Sequence, residues 1–167
     1  MRLAGRIGKE AAMNLIDKYT VEFDPALRIV HLGASELMQF DAPEKLEPWF
    51  AALAKILDRF IADGRVYLII DMGNILFDPS LADVYARHVR AILEKYIYPG
   101  GIARYGFQIT RVTVRRGYSD HLKETPHIFN TRAEAEAYIK ALIEKNCSGL
   151  NKTNIAASIN PDGSSDR

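Results

Sequence analysis

The chain has 167 residues, 48% hydrophobic and 26% charged, which suits one globular domain that buries a core without help. Lys+Arg 22 against Asp+Glu 21 leaves a net charge of +1, so no global field recruits nucleic acid or an anionic membrane. The single cysteine, Cys147, excludes an intramolecular disulfide framework and any site built from several thiolates. The apolar runs fall short of the roughly 18–20 residues that span a bilayer.

At the N-terminus Leu3, Ile7, Ala11, Leu15 and Tyr19 recur at near-helical spacing, with Arg2, Arg6, Lys9, Glu10 and Lys18 between them. This predicts an amphipathic lead-in helix over residues 1–18 that packs on its own domain or on a second protomer, which allows a homodimer. Met1–Ile16 shows neither a continuous apolar h-region nor a small-residue cleavage pattern, so the expected location is the cytoplasm.

From Tyr19 the pattern alternates. Val21 and Phe23, then Leu27, Ile29 and Val30, flank Asp24-Pro25-Ala26 and predict a β-hairpin, released near Gly33 and Ser35-Glu36. Asp41 with Glu44 has the spacing of a capping box. The helix it opens carries Phe50, Leu53, Ile56, Leu57, Phe60 and Ile61 on one stripe and ends near Asp63-Gly64, with Pro48 setting its regular start at Trp49. Val66–Ile70 is an unbroken apolar run and the best candidate for a central strand.

Asp78-Pro79-Ser80 reads as an N-cap followed by Pro at the first helical position, opening a helix with Leu81, Val84, Tyr85, His88, Ile92 and Tyr96 on one side. Pro99-Gly100-Gly101 stops it. Phe107–Val114 mixes Ile109, Val112 and Val114 with Thr110 and Thr113, which predicts another strand. Thr131 and Glu134 form a second capping box before a last helix through about Lys145. The Ser-, Asn-, Gly- and Asp-rich residues 147–167 are expected to be a disordered tail. The order β-β-α-β-α-β-α over residues 19–146 predicts an α/β domain: a mixed sheet with an N-terminal antiparallel hairpin, then parallel βαβ crossovers.

Chemistry is sparse along this order. His31, His88, His121 and His127 make no metal-ligand pair, and Gly73 and Gly100-Gly101 do not form a phosphate-binding loop, so no metal or cofactor is expected. Asp120-His121 could serve as a base and its orienter, but a solvated loop pair is the plainer reading. Cys147 at a helix end is a poor nucleophile. Arg104, Arg111, Arg115 and Arg116 cluster without an acid and with aromatics nearby, a basic patch that the neutral net charge makes a solvated strand end or a surface for an acidic protein partner rather than a nucleic-acid site.

The most informative segment is YLIIDMGNILFDPSL, Tyr67 to Leu81: a buried strand ends in Asp71, and Asp78 then caps a helix whose first turn holds Ser80. This resembles the signature of STAS domains, the family of anti-sigma factor antagonists. VEFDPALRIVHLGASELM, Val21 to Met38, is similar to the family's opening hairpin, and HIFNTRAEAEAYI, His127 to Ile139, to its closing segment. Pro79 and Leu81 stand where the family carries a hydroxyl residue and Gly, which places Ser80 at the phosphoacceptor position. The resemblance implies helices mainly on one face of the sheet and a non-catalytic, bacterial-type signalling module. Its protein partner, an anti-sigma or kinase-type regulator, would bind through Asp71, Asn74, Asp78, Ser80 and Asp83, with phosphorylation at Ser80 as the switch. The SpoIIAA-like branch of the same fold implies an alternative, a carrier or sensor of a lipid or apolar small molecule.

Overall fold

The computed structural model describes residues 15–106 and 108–157, the side chains of residues 108, 109 and 150–157 excepted. The expected lead-in helix lies outside the described residues apart from its end, where Leu15 and Ile16 pack on the core. Strands β1 (Tyr19–Asp24) and β2 (Ile29–Ala34) form the expected antiparallel hairpin, with Phe23 opposite Val30. Asp24 Oδ1 accepts from the amides of Ala26 and Leu27 at 2.9 and 3.1 Å, and Arg28 closes the turn at a φ of 56°.

The central strand β4 (Val66–Asp71) lies parallel between β2 and β6 (Ile97–Tyr105), and β7 (Ile128–Phe129) completes the sheet in the order β1-β2-β4-β6-β7. A separate parallel pair joins β3 (Met38–Phe40) to β5 (Ile75–Phe77). Helices α1 (Pro43–Asp58), α2 (Ala82–Tyr96) and α3 (Gln108–Arg116) cover one face, where the main core gathers Leu46, Leu53, Ile56, Leu68, Val89 and Val114. The last helix, α4 (Arg132–Ala157), lies on the other face, packing Ala135 and Ile139 on Ile29, Tyr67, Ile69 and Ala103. The fold is therefore the mixed α/β sheet, hairpin first and parallel crossovers after, with helices mainly on one face.

Several local expectations are overturned. Residues 108–116 are helix α3, not strand, because burial recurs at Thr110, Thr113, Val114, Gly117 and Tyr118 while Val112, Arg115 and Arg116 are exposed. That is a 3.6-residue period, and it outweighs the β propensity of the threonines and valines. The strand before β7 is β6 instead. Helix α2 ends at Tyr96 as expected, but Pro99-Gly100-Gly101 stands inside β6 at a shift of register against β4. A side chain at Gly101 would place its Cβ 2.8 Å from the Tyr67 ring and from the Tyr98 carbonyl, so glycine lets the strand continue past them.

Asp41 does not cap α1. Its carboxylate pairs with Lys45 one turn on, and Ala42 takes the N-cap position without a side-chain bond. The helix starts at Pro43 and runs through Pro48 to Asp58, since the burial of Leu46 and Trp49 on either side outweighs one lost backbone bond. The second capping box forms: Glu134 N donates to Thr131 Oγ1 at 3.2 Å, and Thr131 N to Glu134 Oε2 at 3.2 Å. Helix α4 then continues past Lys145 to Ala157, through part of the expected tail, because propagating a nucleated helix costs little where no proline intervenes. Residues 158–167 lie outside those described.

Candidate functional site

The segment from Asp71 to Asp83 is held at both ends. Asn74 donates its Nδ2 to the Ala34 carbonyl at 3.0 Å, and its own carbonyl accepts from Met38 N at 2.8 Å. β5 follows, and Asp78 N closes it by donating to the Phe40 carbonyl at 2.9 Å. Asp78 then caps the 3-10 turn Pro79–Leu81, which runs directly into α2. Its Oδ1 accepts from both the amide of Ser80 at 2.8 Å and the hydroxyl of Ser80 at 2.6 Å. These two donors hold the Asp78 carboxyl below the usual range. Asp78 and Ser80 are exposed, so a rigid turn presents a hydroxyl and a carboxylate to solvent.

Asp71 points elsewhere. In β4 the side chains of Tyr67, Ile69 and Asp71 share the α4 face, and the Asp71 carboxylate accepts from Gly73 N at 2.8 Å. It lines an open cleft of about 270 Å3 with Thr20, Glu22, His31, Tyr105 and Arg132. The proposed partner residues therefore divide: Asp78 and Ser80 share the capped turn, and Asp71 belongs to the cleft. Asp83, on the exposed side of α2, stands with Arg87, Arg90 and His121 around a shallow recess of about 260 Å3.

The cleft is what the sequence reading missed. Arg132 donates to Glu136 at 2.7 Å and to Glu22 at 3.0 Å, which raises its own pKa and lowers that of Glu136. His31 Nδ1 stands 4.0 Å from Glu136 Oε1, and burial, with Arg132 adding to it, pushes the imidazole below its ordinary 6.5. The signal was the alternation itself: Thr20 and Glu22 on β1 and His31 and Gly33 on β2 put polar residues on the face that α4 leaves open. Among the described residues no group of three His, Cys, Asp or Glu side chains could hold a metal ion.

The basic patch does not assemble. Arg104 is 1% exposed and lies in the main core, whereas Arg115 and Arg116 are exposed on α3. Arg111 donates to the carbonyls of Gly106 and Phe129 at 3.1 and 2.8 Å, tying α3 to β7. An inward arginine on a strand was not legible as such, since Arg104 sits beside Tyr105 in an alternation that either face could claim. Asp120 and His121 lie exposed in the π-helical turn Gly117–Leu122, where the His121 carbonyl accepts from Arg90 at 3.2 Å. His88 is half-buried and stacks on Phe50 with ring centroids 5.0 Å apart. Cys147 is exposed.

No described helix is long and apolar enough to cross a membrane. Comparison with protein-family models and with curated proteins finds no match.

Proposed function

We propose that the chain is a non-catalytic, STAS-type regulatory module of a bacterial cytoplasm. It docks a protein partner over the turn at Asp78–Leu81 and the start of α2, with phosphorylation at Ser80 as the switch. One observation carries this reading: an exposed Ser80 hydroxyl on a turn braced by β3, β5 and α3, where a partner meets a fixed shape. The resemblance of YLIIDMGNILFDPSL to the family signature supports it.

The chemistry of the switch follows from the cap. Ser80 Oγ donates to Asp78 at 2.6 Å, and a phosphorylated oxygen cannot donate. The phosphate would bring about −1.5 to −2 charges against the Asp78 carboxylate, while the free amides of the helix start favour an anion. Phosphate and Asp78 then compete for one set of donors, and the surface a partner sees changes in both charge and shape.

The carrier alternative finds no room between the sheet and α2, where the apolar cavity measures about 20 Å3, space for about one water rather than for a lipid.

Titration calorimetry of wild type, Ser80→Ala and Ser80→Asp against a partner identified by cross-linking tests the proposal. Alanine should retain the partner and aspartate lose it. Equal affinity of all three would overturn the switch.

A further inference from the structure

Asp71 ends β4 at the carboxyl edge of the parallel strands, and the cleft of about 270 Å3 opens beside it, between the hairpin and the first turn of α4. Open α/β sheets take ligands at this edge. The polar groups of the lining pair across the sheet: Thr20 stands opposite Gly33, Glu22 opposite His31, and Asp71 beside Tyr105. Gly33 keeps the floor open. A Cβ there would fall 2.8 Å from Thr20 Oγ1 and 3.3 Å from Asp71 Cβ, so the threonine hydroxyl and the aspartate flank a gap that any other residue would fill.

The charges of this lining are unevenly matched. Arg132 gives Nε to Glu136 at 2.7 Å and Nη2 to Glu22 at 3.0 Å, so an arriving anion would have to compete with carboxylates already in place. Asp71 is in no ion pair among the described residues. Its Oδ1 accepts from Gly73 N at 2.8 Å, and Gly106, at a φ of 105°, brings its backbone so near that a Cβ would lie 3.2 Å from the same oxygen. Tyr105 is also hydrogen-bonded to this carboxylate, and burial, then the Asp71 charge, raises its hydroxyl, which keeps its proton. A carboxylate offers about four acceptor sites, so one amide and one phenol leave it short of donors. It also lacks a positive charge. His31 supplies none at neutral pH, because burial lowers it.

A divalent metal does not fit, since among the described residues no group of three His, Cys, Asp or Glu side chains could hold one. An ammonium group does. It carries the missing charge and donates several hydrogen bonds, with the Asp71 carboxylate and the Thr20 hydroxyl as acceptors on either side of the Gly33 gap. We infer that the cleft is a binding site for a small aliphatic primary amine, held as its ammonium between Asp71 and Thr20. The site is independent of the docking turn, since neither Asp78 nor Ser80 lines it.

Butylamine is the probe, titrated into the full chain by calorimetry at neutral pH and constant ionic strength, with tetramethylammonium and magnesium chloride as controls. It should bind in a single saturable step. Tetramethylammonium has the charge without an N–H and should bind about tenfold more weakly or less. Asp71→Asn keeps an acceptor for the Gly73 amide while removing the charge, and should weaken butylamine by about tenfold or more. Should that variant not fold, Thr20→Val deletes the second acceptor from an exposed strand position and should weaken butylamine several-fold. No heat from butylamine at millimolar concentration, or equal affinity in wild type and both variants, overturns the site. Tetramethylammonium binding as tightly as butylamine overturns it too, since the cleft would then attract any cation. Tighter binding of magnesium overturns the amine assignment in favour of an inorganic ion.

Discussion

Thr113 of α3 donates its hydroxyl to the backbone carbonyl of Phe77 at 2.8 Å, and both residues are buried. One turn earlier Thr110 does the same for the Ile75 carbonyl. β5 pairs with β3 on one edge only, so its other edge would carry orphan carbonyls in the core. Two threonines at i and i+3 on one helix face supply the missing donors. Thr113→Val keeps the shape and deletes the donor, so urea unfolding should report a loss of about 1–3 kcal/mol. Thr113→Ser should restore most of it, and a valine variant as stable as wild type would show that Phe77 needs no partner.

The same threonines explain where sequence reasoning failed. In isolation Thr110–Val114 favours a strand, and only β5 alongside it makes inward hydroxyls useful on a helix. The mirror case is Pro99-Gly100-Gly101, which reads as a stop and is a strand because the Tyr67 ring occupies the space of a missing side chain. Local chemistry was legible where it was self-contained. The Asp78 cap, the Thr131–Glu134 box, the Asp24 turn and the Val66–Asp71 strand all close within a few residues. The cleft between His31 and Arg132 joins residues distant in the chain: alternation marks its polar wall on β1 and β2, but no local pattern brings Arg132 of α4 opposite it.

Acid should destabilise the fold first through histidines. Burial holds His31, His88 and His127 below their ordinary 6.5, with Arg132, Arg87 and Arg104 respectively adding to it. Glu136, Glu22 and Asp24 oppose the shift at His31, Glu47 at His88 and Glu124 at His127. Above 6.5 all three are neutral folded or unfolded. As pH falls below 6.5 the unfolded chain takes up protons first, so stability declines until the folded values are passed. Asp41, Asp78 and Glu136, lowered from 3.8, 3.8 and 4.5, act only at lower pH. The urea midpoint should therefore be lower at pH 5.5 than at pH 7.5, and His31→Gln should flatten part of that slope. A midpoint that rises on acidification would mean that the native state favours the imidazolium.

Truncation after Cys147 should be silent. α4 packs on the sheet through Ala135, Tyr138, Ile139, Leu142 and Ile143, and residues 144–149 are exposed. Asn146 Nδ2 donates to the Tyr67 hydroxyl at 3.3 Å, an anchoring bond that the truncation keeps. A fraying helix end contributes little, so the melting temperature should move by no more than about 1 °C. A loss of several degrees would place a docking contact beyond Cys147.

Asp78 and Ser80 should separate stability from recognition. Asp78 Oδ1 satisfies the Ser80 amide at the helix start, so Asp78→Ala should cost about 1 kcal/mol, the usual worth of an N-cap. Ser80→Ala deletes only an exposed hydroxyl bond to the same oxygen and leaves the amide bond in place, so the change should stay within about 0.5 kcal/mol. Asp78→Asn keeps an acceptor for the amide without the charge and should fall between them. Ser80→Asp adds a carboxylate where the helix start favours one but beside Asp78, so its stability should remain near wild type while the two carboxylates compete for the cap. Denaturation curves for the four variants give the order Ser80→Ala and Ser80→Asp near wild type, Asp78→Asn next, Asp78→Ala lowest. If Ser80→Ala instead costs as much as Asp78→Ala, the hydroxyl is part of the cap. Its presence in the first turn would then be explained by folding alone, with nothing left for a switch to account for.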